Sequence, residues 1–327
     1  MPPPPPADVF LSGLLFLDLG FTGLHSAPKP GTEVHADALG ASPGGIANFA
    51  VACARLGLRT ALAACFGDDA WGDYCRRELA DHEGVDLSPS RTFPGWPTPV
   101  TVAMSYDGDR ALVTHEAAAP IDVDELVGTA PSSRAAIVHL GPQPFDWVRH
   151  AHRGGTLVFA DVGWDPTGRW DPAMLDQLSQ VDGFFPNAAE AMAYTRTDTP
   201  KAALHQLADR VPLAIVTNGG HGALAIDSVT GETAEVPALP VKAVDTTGAG
   251  DVFGAALVAG TLAGLSLADR LRLAGLVAGI SVRRIGGAAA APTRAELADW
   301  WQSVIDDQTR RDYAFLPGFL THAEVHA

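Results

Sequence analysis

VKAVDTTGAGDVFGAAL, residues 241–257, decides the fold, because it runs from a β-type segment through a glycine turn into a helix of small residues. Glycine lacks the side chain that would keep the backbone away from a bound group. The N–H groups of Gly248, Ala249 and Gly250 can therefore converge at the start of the helix, where the helix dipole also favours negative charge. We interpret this turn as an anion hole for a phosphate.

Asp251 stands directly after these residues, and a carboxylate at a phosphate site is repulsive. Its presence makes sense as a base that takes the proton of an attacking hydroxyl while the N–H groups stabilise the phosphoryl group in transfer. In the alternative, Asp245 or Thr246 caps the helix and Asp251 only complements the helix dipole. The short pattern by itself leaves both interpretations open.

Two common nucleotide-binding motifs are absent from the sequence. A Walker loop requires Gly-x-x-x-x-Gly-Lys-Ser/Thr, which the chain does not contain. The dinucleotide fingerprint requires Gly-x-Gly-x-x-Gly, and here Gly248, Gly250 and Gly254 are spaced one residue too far apart. The glycine spacing therefore disfavours a dinucleotide-dependent oxidoreductase.

The composition is that of a large, acidic, globular protein. Of 327 residues 47% are apolar, and 38 Asp and Glu against 22 Lys and Arg give a formal charge of −16. A surface of that sign disfavours nucleic acid and anionic membranes as partners, and no apolar run reaches the length of a membrane span. Cys53, Cys65 and Cys75 lack Cys-x-x-Cys spacing, and MPPPPPAD at the start lacks the features of a signal peptide. We therefore expect reduced thiols and a cytoplasmic location.

The hydrophobic pattern alternates between strand-like and helix-like segments. A continuous apolar run over 8–21 predicts a buried strand. The further predicted elements are a helix over 44–57, a strand over 60–67, a helix over 68–84, strands within 135–141, 155–163, 182–187 and 213–220 separated by helices, edge strands over 222–245, and helices over 250–264, 267–283 and 294–308. Repeated strand–helix units predict an α/β fold with a mainly parallel sheet covered by helices on both faces.

A different pattern interrupts this alternation at 97–117. Apolar and polar residues alternate there around Asp107-Gly108, which is typical of a β-hairpin. Together with about 20–40, the hairpin is predicted to form a small β lid over a site. The predicted organisation is a proline-rich leader over 1–7, one α/β domain over 8–320 and a tail over 321–327.

Two segments resemble the signatures of one enzyme family. DTTGAGDVFGAAL, 245–257, resembles the C-terminal signature of the ribokinase-like (PfkB) carbohydrate kinases, and SPGGIANFAVACARLGL with CFGDDAWG, within 42–72, resembles their N-terminal one. The two occur in the family's order and at a similar separation, and the resemblance extends over nearly the whole chain. It implies ATP-dependent phosphorylation of an alcohol by a three-layer α/β/α sandwich with a mainly parallel sheet and a small β-sheet lid.

The resemblance also implies roles for individual residues. It makes Asp251 the base and the amides of 248–250 the anion hole. It implies that the substrate is held by Asp18, Gly44, Gly45 and Asn48. A carboxylate and an amide can together hold several sugar hydroxyls through donors and acceptors. Considered alone, Asn48 could instead bond the backbone at its own helix start.

The resemblance further implies a site for ATP and its ions. Asn187 and Glu190 form a capping-box pattern at a predicted helix start. In the family this Asn-x-x-Glu pair organises Mg²⁺ and its waters, so Glu190 is expected to act through water. Asp245 with the loop 284–291 resembles a monovalent-cation site, where K⁺ would bind. The nucleotide contacts implied are Asn187, Thr217, Gly219, Gly222, Thr247 and Gly250.

The acceptor is predicted from the basic residues near the substrate site. Only Lys29, Arg91 and Arg110 are candidates there to hold a phosphate group of the substrate, and the chain is strongly acidic. We therefore expect the acceptor to be a primary hydroxyl of an unphosphorylated small sugar or nucleoside. A kinase of a phosphorylated sugar and a catalytically silent sugar- or nucleotide-binding module stand as alternatives. The exposed edge of the predicted lid favours a homodimer through the hairpin.

Overall fold

The computed structural model describes residues 7–106, 109–165 and 167–321, without the side chains of Asp109 and Arg110. The predicted leader up to residue 6, the Asp107-Gly108 turn and the predicted tail after residue 321 lie outside the described residues.

The strands of the described residues divide among a main sheet, a small sheet and one short pair. In chain order they are β1 (Ala7–Ser12), β2 (Leu15–Thr22), β3 (Ala38–Gly45), β4 (Thr60–Ala63), β5 (Cys65–Gly67), β6 (Arg91–Phe93), β7 (Val100–Tyr106), β8 (Asp109–His115), β9 (Ser133–Leu140), β10 (Leu157–Val162), β11 (Gly183–Phe184), β12 (Leu213–Thr217), β13 (Ala223–Asp227) and β14 (Glu232–Val236). The main sheet has the order β14-β13-β12-β11-β10-β9-β1-β4 within this part of the chain. In this sheet β4, β1, β9, β10, β11 and β12 run parallel to one another, and β13 and β14 add an antiparallel edge next to β12.

Helices connect the parallel strands and cover the main sheet. The described α-helices are α1 (Ile46–Arg55), α2 (Ala70–Arg77), α3 (Val123–Val127), α4 (Asp146–Arg153), α5 (Ala188–Thr195), α6 (Pro200–Ala208), α7 (Ala249–Leu262), α8 (Leu267–Ser281), α9 (Arg294–Ser303), α10 (Asp307–Asp312) and α11 (Leu316–Thr321). The predicted helical stretch before β11 is a 3₁₀ helix, Pro172–Gln180. Within the described residues no helix is both long and apolar enough to cross a bilayer.

The main sheet has a hydrophobic core on each face, which makes the fold a three-layer sandwich. Val9 and Leu11 of β1 pack in the core that contains α1, α7 and α8. Phe10, between them, points to the opposite core, where Trp147 of α4 meets its ring edge to face at 5.4 Å. Because successive residues of a strand face opposite sides, both must be apolar when both faces are covered. The predicted α/β fold with a mainly parallel sheet is confirmed.

The apolar run over 8–21 was predicted as one strand, and this is wrong. It forms β1 of the main sheet and β2 of the small sheet, separated by Gly13 and Leu14. Burial is continuous along β1 after Ala7, whereas in β2 Leu15 and Leu17 are buried and the four residues from Asp18 to Phe21 are partly exposed. The chain therefore leaves the sheet that is covered on both faces and enters one that borders an open cleft.

The small sheet has the order β3-β2-β7-β8. β7 and β8 are the predicted hairpin, paired antiparallel, and β2 joins β7 in parallel. The contribution predicted for about 20–40 comes instead from strands over 15–22 and 38–45, with no regular element over 23–37. The predicted strand over 60–67 is likewise divided between β4 and β5, and β5 pairs with β6 outside the main sheet.

Candidate functional site

Residues predicted separately for substrate, nucleotide and cation binding line one cleft. The cleft lies between the small sheet and the loops that precede α7 and follow α8. Its lining residues are Asp18, Gly20, Gly40, Ser42 and Ala103 from the small sheet and Asp245, Thr247, Ile285, Gly286 and Gly287 from the loops. The fold thus brings the start of the chain to the glycine turn that is far from it in sequence.

Asn48, in the first turn of α1, contacts Asp251 in the first turn of α7. Its Nδ2 donates a hydrogen bond to Asp251 Oδ2 at 2.9 Å, and its Oδ1 accepts one from the N–H of Ala288 at 3.4 Å. The Asn48 side chain is buried, at 4% exposure, so these bonds are shielded from water. The amide therefore points across the fold to the base candidate and the loop after α8.

The glycine turn leads into α7 without a side-chain cap. The N-cap is Gly248, whose φ of 70° lies in the left-handed region that favours glycine, and the helix begins at Ala249. The alternative in which Asp245 or Thr246 caps this helix is therefore wrong. The N–H of Ala249 donates to the Thr246 carbonyl at 3.3 Å. Asp251 lies in the same first turn as these amides.

Asp245 instead ties the glycine turn to the loop after α8. Its Oδ1 accepts from the N–H of Thr247 at 2.9 Å, and its Oδ2 accepts from the N–H of Gly286 at 3.1 Å. The side chain is 8% exposed. The structure thus places a buried carboxylate, and its negative charge, between the two loops.

Gly44 and Gly45 are required by their neighbours. A Cβ atom added at Gly44 would overlap the Asp18 carboxylate, which lies over it. Gly45 caps α1 with a φ of 61°, and a Cβ atom there would overlap the Leu14 carbonyl and approach the Phe16 ring. The first glycine thus makes room for the predicted substrate carboxylate, and the second permits the turn into α1.

The predicted nucleotide residues lie where β11 and β12 end. Asn187 and Thr217 form a parallel bridge, which brings the two strand ends side by side. The predicted capping box is confirmed, since the N–H of Glu190 donates to Asn187 Oδ1 and the N–H of Asn187 donates to Glu190 Oε2, both at 3.0 Å. Gly219 and Gly222 follow β12 with φ values of 51° and 93°, so both need glycine.

Two residues of the site were missed by the sequence analysis, His139 and Asp161. They are the last residues but one of β9 and β10, where they are paired neighbours in the sheet. His139 Nε2 lies 3.7 Å from Asp251 Oδ1, and its ring meets Phe49 edge to face at 5.4 Å. Asp161 is 8% exposed and accepts a hydrogen bond from the N–H of Val162 at 2.8 Å. The signal was available, because each is the single polar residue near the end of an apolar run, AAIVHLG or LVFADVG.

Three carboxyl groups, those of Asp161, Glu190 and Asp251, share this region. Burial, followed by the charges of Glu190 and Asp251, raises the pKa of Asp161 well above its usual value. Burial, together with the charge of Asp251, raises the pKa of Glu190 to about 7, although hydrogen bonds from Asn187 and the nearby His139 oppose this. Carboxyl groups that repel one another in a poorly hydrated site favour a bound cation or a proton.

The chain is similar to known proteins both in sequence and in structure. Residues 12–294 match the family model described as pfkB family carbohydrate kinase. An ATP-dependent ribose-1-phosphate kinase from Halopiger xanaduensis is 31% identical, over 78% of this chain and 84% of its own length. A 5-dehydro-2-deoxygluconokinase from Bacillus thuringiensis is 23% identical, over 91% of this chain and 96% of its own. The structure of Arabidopsis thaliana ribokinase complexed with ribose and ATP superposes with a TM-score of 0.75 at 24% identity, covering 90% of this chain and 98% of that one.

Proposed function

Because the chain belongs to the pfkB family of carbohydrate kinases, we propose that it transfers the γ-phosphoryl group of ATP to a primary hydroxyl of a small unphosphorylated sugar or nucleoside. The observation that carries this proposal is the hydrogen bond from Asn48 to Asp251 beside the glycine turn. This hydrogen bond holds the Asp251 carboxylate in the first turn of α7, next to the cleft that the small sheet borders. A carboxylate in that position can accept a proton while the helix end accepts negative charge.

The proposed chemical step is an in-line displacement with Asp251 as the general base. The acceptor oxygen attacks the γ-phosphorus, its proton passes to Asp251, and the bond from phosphorus to the bridging oxygen of ADP breaks. Asn48 holds Asp251 Oδ2, which leaves Oδ1 as the oxygen to receive the proton. The amides of 248–250 stabilise the charge that develops on the phosphoryl oxygens.

The proposed acceptor grip is formed by Asp18, Gly44, Gly45 and Asn48. Asp18 lies on the cleft face of the small sheet, over Gly44, and offers two acceptor oxygens for sugar hydroxyls. The residues that line the described cleft include no Lys or Arg to pair with a phosphate on the acceptor. This supports a neutral acceptor, of the kind named for ribokinase, over the phosphorylated one named for the Halopiger relative.

ATP is proposed to bind along the ends of β11 and β12 and at the glycine turn. The proposed contacts are Asn187, Thr217, Gly219, Gly222, Thr247 and Gly250. The crowded carboxyl groups fit Mg²⁺, which takes oxygen ligands and keeps several waters, and Glu190 would hold it through water. Mg²⁺ neutralises phosphate charge when it is bound with ATP.

A K⁺ site is proposed at Asp245 and the loop 284–291. Its support is the buried carboxylate, which already orders the amides of Thr247 and Gly286. An ion there would stabilise the loop against which Asn48 packs, and through it the glycine turn.

The small sheet is proposed to act as a lid and as the contact in a homodimer. Leu39 is 62% exposed and pairs with Phe21, and Val113 is 60% exposed and pairs with Val102. By their register these residues lie on the face of the sheet opposite Asp18. Apolar side chains on that outer face support a self-complementary contact.

The test of the proposed function is ADP release from MgATP across sugars, phosphosugars and nucleosides. We expect ADP release with one class of uncharged acceptor, either sugars or nucleosides. Turnover should fall by about 10²- to 10⁴-fold in Asp251→Asn. Asp73→Asn is the matched control, because Asp73 also stands in a first helical turn but is exposed. Normal turnover of Asp251→Asn would exclude it as the base. ATP binding without turnover on any acceptor would favour the silent binding module, and release with phosphosugars alone would favour the phosphorylated acceptor.

A further inference from the structure

We propose that His139, Asp161 and Asp251 form a binding site for a divalent transition-metal ion such as Zn²⁺. A ring nitrogen of His139 and one carboxylate oxygen of each aspartate lie within 4.8 Å of one another. His139 Nε2 and Asp251 Oδ1 are 3.7 Å apart. Two ligands of a tetrahedral Zn²⁺ stand about 3.4 Å apart at metal–ligand distances of about 2.1 Å. Small side-chain rotations therefore bring all three donors to one ion.

The three ligands are already held in place by their surroundings. Asp161 is more than nine-tenths buried, and within the described residues its carboxylate receives one hydrogen bond, from the N–H of Val162 to Oδ1. Its Oδ2 thus lacks a partner there, in a group that faces the other two ligands. The His139 ring is fixed by its edge-to-face contact with Phe49. Asp251 is held by the hydrogen bond that Asn48 Nδ2 donates to its Oδ2, so little conformational entropy is lost when an ion binds.

The donor set selects a transition metal over Mg²⁺. Mg²⁺ demands oxygen ligands in octahedral geometry, whereas an imidazole nitrogen with two carboxylates suits Zn²⁺ and its neighbours in the first transition row. Three protein ligands also leave a fourth position for water, as in open zinc sites. The site is separate from the Mg²⁺ position proposed at Glu190, although the two ions would share the negative charge of this region.

The site is accessible, and its occupation has a consequence for the reaction. The side chains of His139 and Asp251 are 24% and 19% exposed, so an ion can enter from solvent. A metal ion bound to Asp251 Oδ1 occupies the electron pair that would accept the proton of the hydroxyl. Zn²⁺ therefore inhibits phosphoryl transfer in competition with the acceptor, a consequence that rests on the proposed function, whereas the binding itself does not.

The closing experiment measures Zn²⁺ binding to the chelator-treated full chain, without nucleotide or acceptor, in buffer that contains Mg²⁺. Calorimetry should give one Zn²⁺ per chain, and Co²⁺ as a probe should show the intense visible bands of a four-coordinate site. His139→Asn should weaken Zn²⁺ binding by about 100-fold, the upper range for loss of even an outer partner of a ligand. His205→Asn, at an exposed position of α6, should bind as the unchanged protein does.

The outcomes separate the metal site from the kinase proposal. Absence of stoichiometric binding, equal binding by His139→Asn, or displacement of Zn²⁺ by equimolar Mg²⁺ would each overturn the site. If His139→Asn loses its cooperative unfolding transition, Asp161→Asn and anomalous diffraction at the zinc edge decide, because the ion must lie about 2.1 Å from a His139 ring nitrogen. A chain that binds Zn²⁺ here but phosphorylates nothing would refute the kinase proposal alone.

Discussion

Gly44→Ala should damage acceptor binding while leaving the fold intact. The backbone of Gly44 is outside the left-handed region, so alanine fits there without strain. Its Cβ atom would nevertheless overlap the Asp18 carboxylate, and even the farther oxygen, Oδ1, would be only 2.6 Å away. Since Cγ and both oxygens are too close, turning the carboxylate about its Cβ–Cγ bond is insufficient, and the whole group must move by about 1 Å.

The expected cost follows from what Asp18 is proposed to hold. Hydrogen bonds to a charged group contribute about 1.5–3 kcal/mol, and a misplacement of about 1 Å can cost about 10²-fold in rate. We therefore expect kcat/KM for the acceptor to fall about 10- to 100-fold. The free energy of unfolding should change by less than about 1 kcal/mol, because the displaced carboxylate can turn into the open cleft and alanine suits a strand better than glycine.

The assay is ADP release with the best acceptor, at varied acceptor and at varied ATP, together with urea unfolding. Gly20→Ala is the matched control, because it adds a methyl group on β2, the strand that carries Asp18, at a point where no atom lies within 4 Å. A kcat/KM for the acceptor within threefold of the unchanged enzyme would refute the proposed role of Asp18. An equal loss for ATP and acceptor would show that the whole site, and not the acceptor grip, had been disturbed.

Three further predictions concern pH, potassium and assembly. The native state keeps the Glu190 proton up to a pKa of about 7, whereas the unfolded state loses it near pH 4.5, so the free energy of unfolding should fall by up to about 3 kcal/mol as pH rises through that window. Glu190→Gln, which can retain the capping box, should flatten this pH dependence in metal-free urea titrations. An unchanged slope in the variant would contradict the assignment to Glu190. Turnover should rise with K⁺, and Asp245→Asn should stay at the potassium-free rate when K⁺ is added, whereas equal activity of the unchanged protein with and without K⁺ would remove the site. Sedimentation should show a dimer that Leu39→Glu with Val113→Glu dissociates, and a monomeric unchanged protein would exclude the contact.

The sequence predicts the layers of the fold well, because strands that are buried on both faces appear as apolar runs. Strands such as β9 and β10 are continuous apolar runs, and the chain alternates them with helices. Hydrophobicity does not tell which sheet a strand enters, however. The run over 8–21 is mostly apolar on both sides of Gly13, and only the three-dimensional structure separates β1 from β2.

The site is predictable only in part, for a related reason. Gly248, Gly45 and the capping box have local patterns that follow from backbone geometry. His139 and Asp161 have none, because their proximity to Asp251 comes from strand order in the sheet and not from spacing along the chain. A polar residue at the carboxyl end of a buried strand is the best available signal for such positions.

The bond between Asn48 and Asp251 joins residues 203 positions apart, and this bears on how the protein is made. Closing so long a loop costs entropy, which must be repaid by other contacts formed at the same time. Those contacts belong to α7 and α8, which cover one face of the main sheet. During synthesis that face is covered only in part, by α1, until both helices have left the ribosome. The helix that completes the core is also the one that delivers Asp251, so a partly made chain has neither a finished core nor an assembled base.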